Sequence, residues 1–400
     1  MTRSTCLILC ATLCVWPCGC EVRPESRAAA AANSIELLGS CSIGGETLDR
    51  SGLEGLLEDG TPRARLGGFG SALAWTGHGT LYLALCDRGP GDGSTTFPDR
   101  FDEFDIRVEA GKLAATLRST CMLVDPLGRA FVGDRRAFEG ESPLRLDPEG
   151  LRIGRAGNLY VSDEYGPSLL EFDALGHCLR RLPVPGKFSV PHPAADKEEQ
   201  LADNTHGRRS NKGFEGLAIT PDGGTLYALL QSPLIQDHGR DGRLCRMLEL
   251  TIASGKTHEF AVPLERAGLS FTELVAIDAR RFLALERDSE TGSKSVVKRV
   301  IELDIRGASD VSALESLPAL ADEHAPVCVA RRPFLDLLDP SFGLAGAQFP
   351  EKVEGLAFGP DLPDGRRLLL ISSDNDFKSG APSWIWAFAV SPAALIEPQR

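Results

Sequence analysis

Beyond residue 20 the chain has no apolar run approaching the roughly 20 residues that a membrane-spanning helix requires. The chain after its first segment is therefore read as soluble, or as held to a membrane only through lipid. It also lacks the short motifs of the common hydrolases. No G-x-S-x-G nucleophile elbow occurs, since Gly166-Pro-Ser168-Leu-Leu has no closing glycine, and this argues against a serine esterase. The seven histidines form no H-E-x-x-H, and no C-x-x-C or Cys/His pair has zinc spacing. Gly89-Pro-Gly-Asp-Gly is not followed by Gly-Lys, so it reads as a turn and not a phosphate loop. Basic residues are outnumbered, 43 against 56 acidic, for a net charge of −13. That balance disfavours a nucleic-acid-binding surface.

The first twenty residues carry one positive charge at Arg3, an apolar run from Cys6 to Trp16 and small residues near Gly19, the layout of a secretory signal. Gly19-Cys20 is similar to the end of a lipoprotein signal, although Pro17 and Cys18 stand where leucine and a small residue are preferred. A membrane tether through lipidated Cys20 and free release both stay open. Residues 21–33, with their alanine run, read as a flexible spacer, and residues 34–400 as one domain. The expected location is exported: periplasmic, tethered to the outer membrane, or extracellular. A monomer is expected. Cys41, Cys86, Cys121, Cys178, Cys245 and Cys328 remain beyond the signal, and they admit either disulfides, in fifteen pairings, or buried free thiols.

Hydrophobic character comes in short β-rich runs and not in stripes at helical spacing. Leu81-Tyr-Leu-Ala-Leu, Leu159-Tyr-Val-Ser, Thr225-Leu-Tyr-Ala-Leu-Leu, Arg281-Phe-Leu-Ala-Leu and Leu368-Leu-Leu-Ile-Ser each come after a turn rich in Gly, Pro or Asp. These hairpins repeat. The unit is Glu-Gly-Leu, a turn, an apolar strand and an acidic or polar group at its end, with glutamates at 149, 215, 273 and 354 and a degenerate first copy from Gly70 to Gly89. Spacings of 66, 58 and 81 residues exceed one bare four-stranded blade. An all-β single β-propeller is expected, with six blades, and seven fit as well. The polar segment from Ser189 to Asn211 reads as a surface loop at a blade edge.

The first strand of each blade lines a propeller's channel, so equivalent positions fall on a ring around the axis. The recurrent carboxylates would therefore meet at one mouth, where their repulsion calls for a cation, and calcium tolerates such irregular oxygen cages. Arg88, Lys212 and Arg287 lie beside these acids in sequence, and a site mixing metal with basic side chains suits phosphate oxygens. Capping of turns by the same acids is the structural alternative.

Six stretches between about Leu66 and Phe377 resemble the esterase-like phytase family: Asp147-Pro-Glu-Gly-Leu, Val161-Ser-Asp-Glu-Tyr-Gly-Pro-Ser-Leu, Asn211-Lys-Gly-Phe-Glu-Gly-Leu-Ala, Leu229-Leu-Gln-Ser-Pro-Leu, Leu285-Glu-Arg-Asp and Ser373-Asp-Asn-Asp-Phe. The resemblance implies an exported phosphoric-ester or carboxylic-ester hydrolase; the residues themselves are read as a phytase-like hydrolase of phosphomonoesters that acts with metal-activated water, the metal expected to be calcium. In that reading Glu149, Asp163, Glu164, Glu215, Glu286 and Asp374 hold calcium or polarise water, with Glu149, Asp163, Glu215, Glu273 and Glu354 as the metal set. Arg88, Lys212 and Arg287 bind a small-molecule phosphoester. A non-catalytic propeller that binds a ligand or partner protein, and a lactonase-like carboxylic esterase, are the alternatives.

Overall fold

The computed structural model describes Met1 and residues 35–109, 112–136 and 144–396. Met1 aside, the expected signal and spacer lie outside the described residues. The chain begins with β1 (Ile35–Ile43), and then builds blade one from β2 (Ala72–Trp75), β3 (Leu81–Leu85), β4 (Arg100–Glu109) and β5 (Lys112–Met122). Blade two consists of β6 (Pro148–Ile153), β7 (Leu159–Asp163), β8 (Ser168–Phe172) and β9 (Cys178–Leu182). Blade three is β10 (Phe214–Ile219), β11 (Thr225–Leu230), β12 (Leu244–Thr251) and β13 (Thr257–Pro263). Blade four is β14 (Ser270–Ala276), β15 (Arg281–Arg287), β16 (Lys298–Asp304) and β17 (Ala330–Asp336). β18 (Val353–Asp361), β19 (Arg367–Ser373) and β20 (Ser383–Val390) form blade five, whose outer strand is β1, returning antiparallel to β20.

Among the described residues the propeller therefore has five blades, not six or seven. The long repeat spacings come from excursions between strands. One is residues 183–213, which contain α1 (Lys197–Ala202), and another is the connection from β16 to β17. Arg246 of blade three fixes the second excursion by donating to the Leu314 and Glu315 carbonyls while paired with Asp237 and Glu259.

Turn chemistry sets the hairpins. In Thr220-Pro-Asp-Gly223 the Asp222 carboxylate accepts from the Gly224 N–H at 3.0 Å, and Gly223 takes φ +72°, a conformation that favours glycine. Asp278 and Asp364 make the same turn contacts in blades four and five. The second strands are sandwiched on both faces, so β7 is buried throughout and reads as a continuous apolar run. Neighbouring blades interleave side chains such as Leu283, Leu285, Leu356 and Leu369, each contributing about 2 kcal/mol on burial. All six cysteines named above are free thiols. Among the described residues no helix is long and apolar enough to cross a membrane.

Candidate active site at the channel mouth

Strand register defines which residues share a ring. In β6, β10 and β18 the residue skipped by the pairing is Glu149, Glu215 and Glu354, between Pro148 and Gly150, Phe214 and Gly216, and Val353 and Gly355. Each glutamate is thus a bulge residue, re-aimed out of the ladder toward the mouth. The glycine after it is forced by crowding: a Cβ on Gly150 would lie 2.6 Å from Leu217 Cβ, and one on Gly216 would lie 2.7 Å from the Glu273 carbonyl carbon.

Blade four departs from the expected alignment by one residue. Its skipped position is Thr272, between Phe271 and Glu273, so Glu273 occupies the glycine position of the other blades. Thr272 donates to the Val353 carbonyl at 2.9 Å, tying blade four to blade five. Glu273 instead enters the channel, accepting from the Leu217 and Leu274 N–H groups and from Arg152. Its place in the expected metal set is therefore corrected: burial pushes its carboxyl up to about 7 against the opposing charge of Arg152.

Arg152 is the principal residue that the repeat did not flag. Its Nη1 donates to the carbonyls of Leu73 (3.0 Å) and Leu151, and its Nη2 to those of Leu274 (2.6 Å) and Leu356 (3.4 Å). One guanidinium thus spans inner strands from blades one, two, four and five and plugs the channel. The mouth of the channel holds a cavity of about 410 Å³.

Glu149, Glu215 and Glu354 line that cavity together with Arg88, Lys212, Arg287 and Lys352. Burial raises the carboxyls of Glu149 and Glu215 well above the ordinary range; Glu215 then adds to the effect on Glu149, and Glu164 to that on Glu215. Lys212 is lowered by burial, opposed by Glu164 and Glu215, and its Nζ donates to Gln231 Oε1. Arg287 Nη2 lies 2.7 Å from Glu354.

Adjacent strand residues alternate faces, and this sorts the strand-end acids. The second residue of each pair turns toward the mouth without lining the cavity, behind the bases that do: Glu164 is 3.3 Å from Arg88, and Asp374 is 2.8 Å from Lys352. The first residue does not. Asp163 accepts from the N–H groups of Asp147, Tyr165 and Gly166 and from Ser168 Oγ, so it fixes a turn and presents no oxygen to a shared ion. Glu286 faces the opposite side, gripped by Arg331 at 2.7 and 2.9 Å, by Arg299 at 3.2 Å and by the Glu265 N–H. Asp163 and Glu286 are corrected from catalytic candidates to structural residues.

The expected metal set does not converge, and two other carboxylate triads do: Asp147, Glu149 and Glu164, and Asp87, Asp374 and Asp376. Each already surrounds a side-chain cation. Arg88 Nη1 lies 2.5, 3.8 and 3.3 Å from the first triad, and Lys352 Nζ lies 3.4, 2.8 and 3.0 Å from the second. Burial would lower Lys352, but Asp374, Glu354 and Asp87 outweigh it and hold the ammonium protonated. These residues do not fit a calcium cage. Arg88 is likewise engaged by the protein's own acids, including Asp92 at 2.7 Å, and is not free to bind substrate.

The excursion expected to be a loop at a blade edge reaches the mouth. Lys197 in α1 pairs with Asp92 at 2.5 Å, Arg208 donates to the Tyr165 carbonyl, and Arg209 and Asn211 line the cavity. Asp147 and Lys352 were legible as members of the repeat, occupying equivalent positions two residues before the bulge.

Comparison with known proteins gives one family match: the sequence model of the phytase-like family, described as esterase-like activity of phytase, matches residues 64–377. An uncharacterized secreted protein of Arthroderma benhamiae is 36% identical over 200 residues, which are 42% of this chain and 38% of that protein. The match thus spans well under half of the relative's own length. Among solved structures, a luciferin-regenerating enzyme aligns at 10% identity and TM-score 0.36, covering 82% of this chain and 94% of that one. A Myceliophteria thermophila β-propeller domain aligns at 12% and 0.35, covering 81% and 97%. Likeness of that degree carries no weight here, and the propeller assignment rests on the sheet order.

Proposed function

The chain belongs to the phytase-like family, whose description is esterase-like activity of phytase, and from that premise we propose that it is an exported ester hydrolase that acts on phosphomonoesters at the channel mouth. The observation that carries this reading is the meeting of Glu149, Glu215 and Glu354, from three blades, with Lys212 and Arg287 in one cavity. Export is supported by the signal-like first twenty residues and by the secreted relative.

In this reading Lys212 receives a phosphate oxygen, with Arg209 and Arg240 at the cavity wall adding positive charge. Burial raises the carboxyls of both Glu149 and Glu215, and the charge of Glu215 raises Glu149 further, so in this reading one of the two is protonated while the other is not. The deprotonated member takes a proton from water as the water oxygen bonds to phosphorus. The protonated member gives its proton to the leaving alkoxide as the phosphorus–oxygen ester bond breaks. The products are an alcohol and inorganic phosphate. No covalent enzyme intermediate is needed and no step passes through calcium.

The test is phosphate release by the purified protein from phytate and p-nitrophenyl phosphate, beside hydrolysis of an aryl acetate and a δ-lactone, each with calcium and with chelator. Phosphoester turnover in both conditions supports the proposal. Turnover of the acetate or lactone alone moves the reading to carboxylic esters. Binding without turnover of any of the four ends the hydrolase reading.

A further inference from the structure

The far end of the channel holds a second cavity, of about 490 Å³, within the range of about 300–1,000 Å³ usual for small-molecule sites. The mouth is lined by residues at the start of the inner strands, such as Glu149 in β6 and Glu215 in β10. This cavity is lined by their later residues: Trp75 in β2, Ile153 in β6, Ile219 in β10, Ala276 in β14 and Phe358 in β18. Arg152, whose guanidinium reaches carbonyls of four inner strands, lines this cavity and not the one at the mouth.

The lining has an unusual charge balance for a chain of net charge −13. It includes three arginines, Arg152, Arg155 and Arg367, and no aspartate or glutamate. The rest of the wall is largely apolar, with Ile153, Ile219, Val275, Ile277 and Phe358 contributing. Arg152 is buried with its Nε lacking a hydrogen-bond partner, although its terminal nitrogens are held by carbonyls and Glu273. The Arg367 guanidinium carbon sits over the Phe358 ring, 3.9 Å from its centre, which holds the charge beside the apolar wall. Arg155 is fixed by donation to the Pro221 carbonyl at 3.0 Å. Asp222 and Asp361, the acids whose charges act with Arg155 and Arg367, do not line the cavity.

We propose that this cavity is a binding site for an amphipathic organic anion, with an apolar body against the Ile153, Ile219 and Phe358 wall and a carboxylate between Arg155 and Arg367. A neutral apolar molecule would leave the two guanidiniums with no anionic partner inside the cavity, since Asp222 and Asp361 lie outside its lining. A small inorganic anion would leave the apolar wall in water. Only a molecule carrying both parts satisfies the whole lining. This site is independent of the proposed hydrolysis at the mouth.

The experiment is calorimetric titration of the full protein with octanoate and, separately, with 1-octanol, below the concentrations at which either aggregates. Octanoate is expected to bind one-to-one, and octanol at least about tenfold more weakly. The Arg155→Gln/Arg367→Gln double variant changes two side chains outside the blade cores. It is expected to lose about tenfold in octanoate affinity with octanol unchanged. Ala276→Trp, which fills the cavity, is expected to remove both. The proposal is overturned if octanoate shows no saturable binding, if octanol binds as tightly, or if either variant binds octanoate like the parent.

Discussion

The guanidinium of Arg152 lies 3.0 Å from the Glu273 carboxylate inside the channel, and both side chains are buried. Glu273 holds a position that is glycine in three other blades, so the pair is one interaction in two parts. Arg152→Met leaves Glu273 buried and unpaired, and should lower stability by about 3–5 kcal/mol in denaturant unfolding. Adding Glu273→Gln should recover part of that loss, since the uncompensated charge is then gone. A double variant no more stable than the single would sever the proposed link.

Lys352 offers a second test of internal neutralisation. Lys352→Met leaves Asp87, Asp374 and Asp376 facing one another, with a stability loss of about 3–5 kcal/mol. Millimolar calcium should then raise the variant's melting temperature and should leave the parent's unchanged. An equal calcium shift in both proteins would show that the lysine does not take the place of a metal.

Glu164 should make stability depend on pH. Its carboxyl is raised to about 7, chiefly by burial and then by Asp147, against an ordinary value of about 4.3. The native state therefore keeps the proton longer than the unfolded chain. The contribution is fully present below about pH 4.3 and is lost as pH rises toward about 7. Glu164→Gln should be close to neutral at pH 4 and stabilising by on the order of 3 kcal/mol at pH 8, flattening the melting temperature against pH. An unchanged slope would mean that Glu164 ionises as it would in water.

Activity should separate the mouth glutamates from the rest. Glu149→Gln and Glu215→Gln should each lower phosphoester kcat by about 10²–10⁴ without loss of stability at pH 7, because burial already favours the protonated form. Glu286→Gln should leave kcat unchanged and cost about 1–3 kcal/mol through its contacts with Arg331. The opposite pattern would reverse their assignments.

The propeller and the convergence of Glu149, Glu215 and Glu354 were legible because equivalent residues of a repeated blade must fall on a ring. The blade number was not, since the excursion holding α1 and the connection before β17 lengthen the repeat without adding a sheet. Glu273 misled because a bulge moves the ladder by one residue, and the tripeptide around it keeps the Glu but not the Gly. Asp163 and Glu286 were drawn into the site because a sequence shows two adjacent acids or an acid beside a base, whereas the pleat sends them to opposite faces. Arg152 carried no signal beyond its place after Leu151, because its partners are carbonyls, which every residue possesses.

The pairing of β1 with β20 places the first and last strands of the domain in one sheet. Closure of the ring therefore depends on the two ends of the domain meeting, and the place of Glu354 beside Glu149 and Glu215 depends on that one seam. Cutting the chain near Ile35 or near Val390 should have the same outcome, the release of a single seam and the dispersal of a centre whose residues lie far from either cut.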